Sequence, residues 1–129
     1  MGVSTDGILV YGIQLKEDFF NDSSYDSSYS EDLVDKDPGG LSGTKLLSWM
    51  QYHDKAIDGI TIVMHCSIDY PMYIIGIEDA NYMAWRGSPK KIDSLSINPE
   101  WDTKIKSFIK KYKIKTTKDI GWWLCSLWG

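Results

Sequence analysis

The clearest hydrophobic pattern in the chain runs from Trp101 to Tyr112. There Trp101, Ile105, Phe108, Ile109 and Tyr112 recur at intervals that place them on one face of an α-helix. Asn98 and Pro99 precede this stripe as N-cap residue and first helical residue. Glu100 and Asp102 fall in the first turn, where they complement the helix dipole. A second helix is predicted over Leu41 to His53, with Leu46, Met50 and His53 on one side, Leu47 and Trp49 beside them, and Ser42 or Thr44 as N-cap.

The remaining apolar stretches have the length and composition of strands. Gly7 to Leu15 is short and rich in β-branched residues, and Gly12 inside it marks a bulge or a close backbone approach. Ile60 to Cys66 and Met72 to Ile77 read as an antiparallel hairpin turned at Asp69-Tyr70-Pro71. Asn81 to Arg86 reads as a further short strand, ended by Gly87-Ser88-Pro89.

The closing stretch, Gly121 to Gly129, holds three of the six tryptophans and no charge. As a strand it puts Trp122, Leu124, Ser126 and Trp128 on one face and Trp123, Cys125 and Leu127 on the other. Both faces are apolar, so each needs a cover.

Strand, helix, strand, strand, helix, strand is the order of an α+β domain. It predicts an antiparallel sheet with two helices on one face, the ferredoxin-like (split βαβ) plan or a close relative of it. In that plan the first and third strands are central and the last lies at an edge. The helices then cover one side of the tryptophan-rich strand, and a bare aromatic patch on the other would be an interaction site. All 129 residues are expected to form a single domain, 1–129.

One stretch does not fit a packed domain. From about 17 to 40 the chain is biased to Ser, Asp and Tyr and ends in Asp37-Pro38-Gly39-Gly40, which predicts a long acidic loop. This stretch polarises the molecule. Residues 1–37 hold nine acids against Lys16 and Lys36, whereas 86–118 hold ten bases against Asp93, Glu100 and Asp102, within a net charge of -4. Such a field steers association and partner choice more than it sets fold.

Candidate chemistry is sparse. No apolar run is long enough for a membrane helix, and the N-terminus lacks the basic and apolar regions of a secretory signal, so a cytosolic location is expected. Cys66 and Cys125 lie in apolar segments and read as buried thiols rather than a disulfide or zinc pair. His65 and Cys66 are neighbours on a strand and point to opposite faces, so they cannot act as a nucleophile and its base. No catalytic residue, metal ligand or cofactor site can be named, and the expectation is a protein that is not an enzyme.

Two binding surfaces remain. Arg86, Lys90, Lys91, Lys104, Lys110 and Lys111 are the candidates for phosphate contacts in a single-stranded nucleic-acid binder, with sheet aromatics stacking on bases. A solvated loop for Arg86, Lys90 and Lys91, and a solvated amphipathic helix face for the other lysines, explain them more simply. The eight carboxylates between Glu17 and Asp37, interleaved with tyrosines, have a sharper alternative to solubilisation. They can imitate a nucleic-acid backbone and occupy a basic groove on another protein. The candidates for that contact are Asp22, Tyr25, Asp26, Tyr29, Glu31, Asp32 and Asp35, joined by Trp123 and Trp128 of the last strand.

The stretches Ser4 to Gly12, His65 to Tyr73, Trp85 to Pro89 and Gly121 to Leu124 together resemble a group of small proteins encoded by tailed bacteriophages. They cover about a third of the chain and carry no chemistry, so no functional residue transfers. The resemblance implies a phage origin and the bacterial cytoplasm as workplace. By analogy, small acidic phage proteins of this kind look like anti-defence inhibitors. The leading expectation is therefore an inhibitor of a host protein that handles nucleic acid, such as a CRISPR nuclease, without membrane association. A homodimer is left open.

Overall fold

The computed structural model describes residues 5–16, 37–67 and 71–128. Its elements are β1 (Thr5–Leu15), α1 (Gly43–His53), β2 (Ile60–Ser67), β3 (Pro71–Ala84), α2 (Pro99–Tyr112) and β4 (Thr116–Trp128), with a 3-10 turn at Pro38–Gly40 before α1. The α+β class follows, with two helices and a four-stranded mixed sheet whose strands neighbour one another in the order β1-β3-β2-β4.

Local signals account for the helices. At α2 the Asn98 side chain accepts from the Glu100 amide, Pro99 starts the helix, and Lys113 ends it in the left-handed conformation. Ser42 occupies the N-cap position of α1, and Asp54 closes it in the same left-handed way. No described helix is long and apolar enough to cross a membrane.

Both helices pack on one face of the sheet. Leu46, Leu47, Trp49 and Met50 of α1 and Ile105, Phe108 and Tyr112 of α2 meet Tyr11, Ile13, Leu15, Ile60, Ile75 and Ile77 in the main core. Burying one such aliphatic or aromatic side chain is worth about 1.5–3 kcal/mol.

The sheet is not open. β4 pairs antiparallel with β1 along nearly its whole length, and its end also meets the end of β2 in a short parallel pairing, Cys66↔Leu127 and Ser67↔Trp128. The expectation of β4 at an edge is thereby corrected: the sheet coils until its two outer strands touch, making a closed, mixed barrel.

Two glycines permit the coil. Between Val10↔Asn81 and Gly12↔Gly76 the pairing of β1 with β3 shifts register. A side chain at Gly12 would lie 2.2 Å from the Ile75 carbonyl oxygen, and one at Gly76 would lie 2.4 Å from Cγ2 of Val10. Gly12 thus provides both the bulge and the close approach. Coiling turns the second face of the sheet inward, where Ile8, Val10, Val63 and Ile74 form a small second core lined by Met83, Trp123, Cys125 and Leu127.

β3 runs without a break where two strands were expected. Glu78 and Asp79 interrupt its apolar pattern but sit exposed at the irregularity, and the Glu78 amide donates to the Gly59 carbonyl at 2.9 Å. Cys66 is a further correction. It is exposed rather than buried, because the end of β2 leaves extended geometry there, with φ at 77°. Its neighbour His65 points to the opposite side and is buried, as alternation requires.

Candidate protein-binding surface

Cross-strand register defines the surface row by row. Trp122 of β4 stands opposite Tyr11 of β1, and this row lies beneath α2. Trp101, in the first turn of α2, packs on Tyr11 at 5.2 Å and on Trp122 at 6.1 Å between ring centroids. The Tyr11 hydroxyl donates to Asp102 Oδ1 at 2.5 Å. Burial, then the hydrogen bond to Asp102 and that residue's charge, push the Tyr11 phenol up to about 12. Asp102, expected to serve the helix dipole, thus also ties α2 to β1.

The next row outward is Leu124, Leu9 and Tyr82. Leu124 is 82% exposed, whereas Leu9 and Tyr82 are half-buried and Tyr82 stacks on Trp122 with centroids 6.3 Å apart. Beyond it comes a row of small residues, Ser126, Gly7 and Ala84. The last position is Trp128, 55% exposed and opposite Thr5. Leu124 and Trp128 therefore stand about 13 Å apart along one face of β4, with a floor of small side chains between them.

A loop extends this apolar border. The Trp122 indole N–H donates to the Ser96 carbonyl at 3.1 Å, which brings the segment around Ser96 against the sheet. Its neighbours Leu95 and Ile97 are both exposed. Grouped exposed apolar side chains are candidates for a contact surface, whereas scattered ones need no explanation.

The tryptophan pair expected to make contact splits between two roles. Trp128 lies on the surface just described. Trp123 lines the second core, and its indole N–H donates to the Gly12 carbonyl at 3.0 Å, so it serves the fold. The other partner-binding candidates, Asp22, Tyr25, Asp26, Tyr29, Glu31, Asp32 and Asp35, lie outside the described residues. Alternation had placed Leu124 beside Trp122 and Trp128, which was the one available signal for its role. Leu9 and Tyr82 join it only through strand pairing, which local pattern does not specify.

The basic candidates fall on two elements. Lys104, Lys110 and Lys111 project from α2, whereas Arg86, Lys90 and Lys91 lie on the β3–α2 connection. Lys111 stands 3.8 Å from Asp58 and Lys91 3.5 Å from Asp93, both as exposed pairs of small energetic weight. Among the described residues no group of three or more His, Cys, Asp or Glu side chains could hold a metal ion. The chain matches no protein-family model, no curated protein and no solved structure.

Proposed function

We propose that this protein works by binding another protein, as a bacteriophage-encoded inhibitor of a basic, nucleic-acid-handling host protein. Its contact would centre on Leu124 and Trp128, and the carboxylates of residues 17–37 would supply the charge that guides a basic partner. The observation that carries this reading is the exposure of Leu124 and Trp128 on one face of β4, flanking a floor of small residues. Partner side chains seat in such a recess, and large apolar residues around it supply most of the binding energy.

The single-stranded nucleic-acid reading has less support. Four-stranded sheets of this plan stack bases on the face turned away from the helices. Here that face is rolled into the second core, and Trp123 is committed to it.

The test is affinity capture of bacterial host proteins on the tagged full chain, compared with Leu124→Glu and Trp128→Ser. A captured protein retained by the wild type in low salt, and reduced at least tenfold by either substitution, supports the reading. Neutralising Asp22, Asp26, Glu31 and Asp32 together is expected to remove the salt dependence of that capture. An oligonucleotide mobility shift, or capture that both surface substitutions leave intact, overturns it.

A further inference from the structure

The weakest joint in the barrel is the pairing of β2 with β4. It consists of Cys66↔Leu127 and Ser67↔Trp128, whereas β1 holds β4 along nearly its full length. The joint is also strained, since Cys66 bears a side chain at a φ of 77°, a region that favours glycine. Immediately before it sits His65, 8% exposed on the inward face of β2, opposite Met72. Its Nε2 is buried and has no hydrogen-bond partner among the described residues.

We propose that the β2–β4 pairing is an acid-released latch and that His65 is its trigger. A second proton puts an N–H on both ring nitrogens, and the one on buried Nε2 has no acceptor among the described residues. Water reaches it at least cost by parting the adjacent two-residue pairing.

The inward face holds few charges to compensate. Among the described residues its other titratable groups are Asp6 on β1 and Asp119 and Cys125 on β4, and β3 contributes Met72, Ile74, Gly76, Asn81 and Met83. Asp6 is separated from Cys66 by the intervening Leu127 of β4, and no ion pair joins it to His65 among the described residues. Asp119 is exposed in the other half of β4, and Asp69 lies outside the described residues. Burial alone holds the His65 pKa below its ordinary 6.5. The closed form is therefore fully favoured above that value and loses its advantage as pH falls below it.

The two cysteines supply the assay. Cys66 is exposed and free, whereas Cys125 is half-buried against the second core. A brief pulse of N-ethylmaleimide at pH 7.5 and at pH 5.5, followed by peptide mass spectrometry, gives the ratio of Cys125 to Cys66 labelling. Cys66 corrects for the pH dependence of the reagent. At pH 5.5 the wild-type ratio is expected to rise by up to about tenfold, the most that one proton taken up at an open-state pKa of 6.5 can drive. In His65→Gln and His65→Phe the ratio is expected to be equal at the two pH values. A wild-type ratio that does not rise, or that rises equally in both variants, overturns the latch. So does a rise accompanied by loss of the far-UV circular dichroism spectrum, because the whole domain would then be unfolding. The isolated chain suffices, so the result is independent of the partner proposed above.

Discussion

The two faces of this sheet solve the same burial problem with different means. On one, α1 and α2 lay regular apolar stripes over Tyr11, Ile13, Leu15, Ile60 and Ile75, which are buried. On the other no described helix is involved: Ile8, Val10, Val63 and Ile74 are covered by the coiling of the strands that carry them. The first core depends on elements that read as helices in isolation. The second exists only if β4 swings round to reach β2, so it inherits the weakness of that joint. A cover supplied by separate elements is robust, and one supplied by curvature is conditional.

The largest test of this contrast is side-chain deletion in each core. Phe108→Ala under the helices is expected to cost about 3–5 kcal/mol, a large part of the whole stability of a domain this size. Val63→Ala, with less side chain to lose and a lining of half-buried neighbours able to relax, should cost about 1–2 kcal/mol. Urea titration followed by circular dichroism measures both. Equal losses would mean that the second core is as tightly held as the first.

A smaller effect is expected where curvature begins. At Gly12 an added methyl meets backbone, the Ile75 carbonyl oxygen at 2.2 Å, while at Gly76 the nearest atom is the Val10 methyl Cγ2 at 2.4 Å. A side-chain methyl can rotate away and a paired strand cannot. Gly12→Ala should therefore cost about 2–3 kcal/mol and Gly76→Ala distinctly less, within the range usual for overpacking. The same urea titrations rank them, and the reverse order would mean that β3, rather than the Val10 side chain, yields.

The contrast also explains what the sequence made legible. α2 was readable to its boundaries because its stripe, cap and first-turn acids all lie within one local window, from Asn98 to Tyr112. The hairpin of β2 and β3 was readable for the same reason. The barrel was not, because Cys66↔Leu127 joins residues far apart in the chain and requires the curvature that Gly12 and Gly76 allow. Reading β3 as two strands has a similar origin: Glu78 and Asp79 interrupt the apolar pattern but lie at a register shift in one long strand. For the surface, alternation grouped Leu124 with Trp128, but only the β4–β1–β3 pairing could add Leu9 and Tyr82.

The smallest expected effect concerns a hydrogen bond that fastens the robust cover to the curved sheet. Tyr11→Phe removes the donor to Asp102 while keeping the ring packed on Trp101 and Trp122. Asp102 is only half-buried and regains water, so the loss at neutral pH should be about 1 kcal/mol, at the low end for a bond to a charged group. Its signature is in alkali. The folded protein holds the Tyr11 proton up to about 12 against an ordinary 10, so the wild-type advantage is complete below pH 10 and is lost, then reversed, as pH rises from 10 to 12, since two units correspond to about 2.7 kcal/mol. Lys111 also has a raised pKa, through its contacts with Tyr112 and Asp58, and is common to both proteins. Subtracting the Tyr11→Phe stability curve from the wild-type curve therefore isolates the phenol. If the difference stays constant between pH 9 and pH 12, Tyr11 ionises as freely in the fold as outside it, and α2 is held to β1 by ring packing alone.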